Sequence, residues 1–207
     1  MKQVMNPLTR GGIKAGIVSL AMLLLIPAVA QSSKKSKKTN TLEVTFNYQK
    51  QAGPGSNQYA VWIENEKVEL VRTLFVTSYT TKGRARGDEE LVRGYIKRPN
   101  CVPTWVKTVK ANDLSDEELD VFTGATPQNN GIQTFTWDLK DQKGAVVPKG
   151  TYTIYVEGTL FFESIVMYQA KFSTDDEINK SLIFTETLTK EDENHKSMIS
   201  NVTGITK

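Results

Sequence analysis

The chain has 207 residues, with 26 Lys and Arg against 23 Asp and Glu, and only one His and one Cys. A lone cysteine forms no intrachain disulfide, and one His with one Cys is too small a ligand set for zinc or copper. Three bases precede residue 15 and four lysines crowd into "SSKKSKK" (Ser32 to Lys38), so the rest is slightly acidic and unsuited to nucleic acid, whose phosphates require clustered excess base.

The chain opens on Lys2, Arg10 and Lys14, followed by the uncharged run "AGIVSLAMLLLIPAVA" (Ala15 to Ala30). Ala28-Val29-Ala30 is a small-x-small cleavage pattern, so residues 1–30 are expected to be a secretory signal peptide cut before Gln31. The run is shorter than the ~20 residues that span a bilayer, and an uncleaved anchor is the alternative reading. No transmembrane segment is expected after cleavage. The expected location is the periplasm or another extracytoplasmic space. Residues 31–40 read as a polar, basic tether with nothing to bury.

Strand patterns follow. "TLEVTFNYQ" places Leu42, Val44, Phe46 and Tyr48 on one face and Glu43, Thr45 and Asn47 on the other. Alternation of this kind marks a half-buried strand. Gly and Pro in "QAGPGSN" break the pattern, and Gln58 to Val76 reads as a hairpin turning near Asn65-Glu66-Lys67. "QTFTWDL", "TYTIYVEGT", "SIVMYQAKF" and "SLIFTETLT" are further runs rich in Thr, aromatic and β-branched residues. Strands at this spacing predict an all-β fold, an antiparallel β-sandwich over residues 41–174, which the resemblance given below makes immunoglobulin-like. Residues 175–207 form a C-terminal extension with one strand-like run, free to pair onto a sheet edge or to hang loose.

The segment from about 78 to 130 departs from the pattern. It contains "TTKGRARGDEE" and "RPNCVPTW", and its Ser115 and Glu118 form a capping box predicting a short helix over Asp116 to Asp120. A connection this long inside a sandwich, here a partly helical insertion, is expected to be functional or mobile.

"WDLKDQKGAVVPKGTY" (Trp137 to Tyr152) is accounted for by structure alone. Trp137 buries its ring, Asp138 and Asp141 bond turn amides, Gly144 and Gly150 supply turn conformations, and Pro148 stiffens the approach to the next strand. With the preceding "LVRTL" (Leu70 to Leu74), the pattern resembles the immunoglobulin-like repeat of flagellar hook-capping proteins. It departs at Leu139, where that repeat usually has glycine. From about Leu42 to Ser173 the chain resembles a bacterial family of predicted periplasmic proteins, domain of unknown function 2271. The likeness rests on Leu70 to Leu74, Pro103-Thr104-Trp105, Thr123 to Pro127 and Trp137-Asp138. A fold likeness does not fix function.

Catalytic constellations are not visible. His195 lies in the polar C-terminal stretch, Cys101 has no partner recognisable in sequence, and the acidic runs "SDEELD" and "STDDE" lack a defined calcium loop. Asp120 to Thr126, "DVFTGAT", is different: it fits D-x-x-[ST]-G-A-[ST]. This resembles the motif that a periplasmic flavin transferase recognises in its protein substrates, where the last hydroxyl residue is joined to FMN through a phosphodiester bond. The resemblance implies Thr126 as acceptor, with Asp120, Thr123, Gly124 and Ala125 as recognition residues. Small residues at 124 and 125 suit an enzyme that must close over the backbone, and Pro127 prevents helix from continuing. The bland reading is a tight turn after a short helix.

Two functions stand against each other. In the first, the protein is a non-catalytic carrier of covalent FMN for extracytoplasmic electron transfer. Its partners are the flavin transferase and a membrane redox protein, and Trp105 or Tyr95 covers the ring. In the second, it is an immunoglobulin-like binding or assembly module without cofactor, bound to a protein partner.

Overall fold

The computed structural model describes residues 41–52, 55–160, 164–189 and 198–207; the expected signal peptide, the lysine tether and His195 lie outside them. Two sheets face each other. In the smaller, β1 (Leu42–Tyr48) is central, flanked antiparallel by β5 (Gly131–Trp137) and β9 (Ile199–Thr206). The larger contains β2 (Gln58–Asn65), β3 (Leu70–Thr77), β4 (Thr123–Gly124), β6 (Thr151–Thr159), β7 (Ile165–Ser173) and β8 (Thr185–Leu188). Its strand order is β4-β3-β2-β6-β7-β8, antiparallel throughout except for the two-residue parallel pairing of β3 with β4. The expected all-β sandwich with a partly helical insertion is what forms.

The alternation in β1 does what its period demands. Leu42, Val44, Phe46 and Tyr48 are buried in the space between the sheets. They meet Tyr59, Val61 and Ile63 of β2, Ile154 and Val156 of β6, and Tyr168 and Phe172 of β7. Trp137 completes this core, edge-on to Tyr152 and Phe172 at 5.2 and 5.4 Å between ring centroids. The β2–β3 hairpin turns where predicted, with Asn65 Oδ1 accepting from the amides of Lys67 and Glu69 at 2.9 and 3.0 Å. The C-terminal extension pairs onto sheet edges: β8 joins β7, and β9 joins β1.

The Trp137 turn is held as its residue types require. Asp141 Oδ1 accepts from the amides of Lys143 and Ala145, both at 2.9 Å, and the Trp137 indole N–H donates to the Lys140 carbonyl at 2.7 Å. Leu139 has φ of 57°, a left-handed conformation that favours glycine. The turn also grips β3, because Arg72 reaches Asp138 at 3.2 Å and Gln142 Oε1 accepts from the Thr73 amide at 3.0 Å.

The outer face of the larger sheet is also covered, which the strand pattern alone did not announce. All but the last residue of β2 are buried, so its Ala60 and Trp62 face away from the sandwich core into a second one. The cover is the insertion: α1 (Ser78–Lys82), α2 (Gly94–Lys97), α3 (Pro103–Val109), a 3-10 turn (Ala111–Asp113) and α4 (Asp116–Asp120). The predicted capping box forms at α4, with the Glu118 amide donating to Ser115 Oγ and the Ser115 amide to Glu118 Oε2.

The attachment of this cover is polar as well as apolar. Glu157, on β6 and buried, accepts from the amides of Thr104 and Trp105 at 3.0 and 2.8 Å, the first turn of α3. Glu64 accepts from the Trp62 indole N–H at 2.8 Å and from the Thr108 hydroxyl at 3.2 Å. The Trp105 indole N–H donates to Thr73 Oγ1 at 3.1 Å, and Trp62 stacks on Tyr155 at 5.0 Å. Each otherwise orphaned donor finds an acceptor on the sheet. Burial nevertheless pushes the Glu157 carboxyl up to about 7, outweighing the two amides that favour its charged form.

Candidate functional site

The motif lies where the insertion returns to the sheet. After α4, β4 runs beside the end of β3, pairing Thr123 with Val76 and Gly124 with Thr77. Residues 125–130 then cross from the larger sheet to β5 of the smaller one, at one end of the sandwich.

The first part of the motif is bound into the fold. Asp120 forms an ion pair with Lys82 at 2.8 Å. The Thr123 hydroxyl donates to the Leu119 carbonyl at 2.6 Å and lies 3.0 Å from the Thr81 hydroxyl. Gly124 leaves no room for a side chain, since a Cβ there would stand 2.0 Å from the Phe75 ring. These three residue types therefore have structural reasons to be present.

The second part is open. Ala125 is exposed and Thr126 half-buried. Among the described residues the Thr126 hydroxyl has the Gln58 amide as its side-chain hydrogen-bond partner, at 3.4 to 3.5 Å. Gln58 itself is 2% exposed, fixed at the start of β2.

Thr126 and Ala125 border a cleft of about 840 Å³ between the loop before β2, the start of α1 and the "GRAR" segment. Its cations are Lys50, Arg84, Arg86 and Arg98, against the single carboxylate of Glu89. Tyr79 supplies the aromatic wall, with the Arg98 guanidinium 5.7 Å from its ring centroid. The size is within the range of small-molecule sites, and the charge suits an anionic ligand such as a phosphodiester.

Trp105 and Tyr95 do not reach this cleft. Both are buried in the second core, Trp105 against Thr73 and Tyr95 with its hydroxyl donating to the Ala111 carbonyl at 2.9 Å, so neither covers a ligand at Thr126. The reason is the two-sided burial of β2, which needs large rings on its outer face. Cys101 is likewise buried, 3.2 Å from the Thr80 hydroxyl, and desolvation pushes its thiol up to about 12. Such a thiol is not a nucleophile near neutral pH.

Sequence reasoning missed Lys50, Gln58, Tyr79, Arg84, Arg86 and Arg98. "GRAR" carried a trace of them, two arginines on a glycine-flanked loop, but their partners come from segments far apart in the chain. No group of metal-ligating residues occurs among the described residues. No helix among them is long and apolar enough to cross a membrane.

The sequence matches the family described as predicted periplasmic protein, domain of unknown function 2271, over residues 39–184, and the chain belongs to that family. The match takes in β1 to β7 and ends just before β8. The family description agrees with the export expected from the N-terminal sequence. No curated protein and no solved structure matches the chain.

Proposed function

We propose that this protein is a non-catalytic, exported carrier of FMN attached covalently to Thr126, passing electrons between a membrane redox protein and acceptors outside the cytoplasm. The observation that carries the reading is the Thr126 hydroxyl, on an open crossing loop with small neighbours, at the border of a cationic cleft. Attachment forms a bond between Thr126 Oγ1 and the phosphorus of an activated flavin phosphoanhydride. The bond from that phosphorus to the leaving phosphate breaks, the leaving group departs with the electron pair, and the hydroxyl proton passes to a base on the transferase. When attached, the flavin supplies the redox chemistry. The chain's own residues fix the loop and offset the phosphodiester charge.

The test is the intact mass of protein exported beside an active flavin transferase. One FMN per chain is expected, with fluorescence that survives denaturing electrophoresis. Thr126→Ala should remove both and leave thermal stability within about 0.5 kcal/mol, since the hydroxyl makes only long contacts. Wild-type protein without added flavin mass sinks the proposal.

The second reading, a binding or assembly module, is favoured by β8, a short edge strand of the larger sheet. The likeness of the Trp137 turn to hook-capping repeats points the same way. Recovery of one stoichiometric protein partner with a flavin-free chain supports this alternative.

A further inference from the structure

We propose that the cleft beside Thr126 is a built anion site for the flavin's phosphate, with Arg84 and Arg86 as its phosphate-binding residues and Gln58 positioning the acceptor hydroxyl. The inference rests on the reading of Thr126 as the acceptor, and it names the residues of this chain that hold the ligand.

Charge is the first argument. Away from its N-terminal bases the chain is slightly acidic, yet the cleft gathers Lys50, Arg84, Arg86 and Arg98 around one carboxylate. That carboxylate, Glu89, is itself drawn to Lys97 at 3.8 Å, outside the cleft lining.

The second argument is how the insertion uses its other bases. Arg93 donates to the Tyr95 hydroxyl, the Ala111 and Leu114 carbonyls and Asp116, all within 3.1 Å, and Lys82 is engaged by Asp120. Arg84 and Arg86 differ: both are exposed, and neither makes a side-chain hydrogen bond or ion pair among the described residues. A guanidinium presents a planar fork of donors that matches two phosphate oxygens, which makes arginine the suited residue for this ligand.

The third argument is preorganisation. Gly83 lies so close to the Val92 carbonyl that a Cβ would stand 1.7 Å from its oxygen, which packs the start of the arginine loop against the segment leading into α2. The Gly83 amide also donates to the Tyr79 carbonyl at 2.9 Å. On the opposite side, Gln58 is held at the start of a doubly buried strand with its amide toward Thr126 Oγ1. At 3.4 to 3.5 Å the contact is long, so Gln58 biases the hydroxyl's orientation toward the cleft and does not lock it.

The experiment uses the full exported chain carrying Thr126→Ala, which has no acceptor and reports non-covalent binding alone. Titration with FMN and with riboflavin, followed by flavin fluorescence, should show FMN bound at least about tenfold more tightly, because riboflavin lacks the phosphate. Adding Arg84→Gln and Arg86→Gln should abolish that preference without moving the thermal midpoint. Added salt should weaken FMN binding more than riboflavin binding. Equal binding of the two flavins, an unchanged preference in the arginine variant, or displacement of FMN by equimolar inorganic phosphate overturns the proposal. On the acceptor-intact chain, intact mass should show modification slowed about tenfold by the two Arg→Gln changes, and slowed by Gln58→Leu; unchanged rates overturn the roles assigned to these residues. The two ideas fail separately. Preferred FMN binding without mass gain in the wild type leaves the cleft and removes the covalent reading. Mass gain with no phosphate preference does the reverse.

Discussion

The two faces of the larger sheet are closed in different ways. On the inner face, rings and branched chains from both sheets interdigitate, and Trp137, Phe46 and Ile154 have no exposed surface. On the outer face the covering helices have four to seven residues, too short to be stable alone, and they attach through Glu157, Glu64 and Thr73 as well as through Trp62 and Trp105. The inner face derives its strength from area removed from water, while the outer face adds directional bonds that fix one docking geometry. The Thr126 loop depends on the second kind, because its position follows from how the insertion seats.

The largest expected effect lies on the inner face. Trp137→Ala should destabilise the fold by about 3–5 kcal/mol in urea unfolding, the range for deleting a buried tryptophan. A loss below about 1 kcal/mol would remove the distinction between the faces. On the outer face, Glu157→Gln leaves one of two amides poorly accepted and should cost about 1–2 kcal/mol at pH 5. Its pH dependence is more telling. The folded-state value, raised from 4.5 to about 7, means that Glu157 keeps its proton in the folded chain after losing it in the unfolded one. Wild-type stability from this group is therefore full below about pH 4.5 and falls as pH rises toward 7, whereas Glu157→Gln should lack that slope. Parallel stability profiles for the two proteins from pH 4 to 8 would contradict the assignment. An effect of comparable size concerns the join between the faces. Gly124→Ala drives a Cβ into Phe75, whose ring is stacked on Tyr59 at 5.0 Å, and should cost about 1–3 kcal/mol and slow modification at Thr126. Unchanged stability would mean that the loop moves freely of the sheet.

Much of the inner face was legible in advance. β1 alternates cleanly, the hairpin announces itself at Asn65, and the Trp137 turn carries its own Asp and Gly chemistry. The outer face was hidden for physical reasons. Helices of four to seven residues have no room to display a period, and they owe their stability to contacts with strands far away in the chain. A trace existed in "YAVWI", a continuous apolar run where a one-sided strand would alternate, since burial on both faces erases period two. At the candidate site, the sequence pattern singled out Thr126 but assigned the neighbouring aromatic role to Trp105 and Tyr95. Tyr79 holds the place beside the cleft, because Trp105 and Tyr95 are taken up beneath the insertion.

β9 lies alongside β1, and the amides of Thr41 and Lys207 donate to each other's carbonyls at 3.0 and 2.9 Å. The first strand to leave a ribosome or a translocation channel must thus wait for residues more than 150 positions later before its own sheet can close. Until then one edge of β1 lacks its ladder partner, although its apolar side can already meet β2, β6 and β7. A stop codon before Ile199 should therefore leave that edge of the smaller sheet open and yield a product that aggregates or is degraded more readily than the full chain.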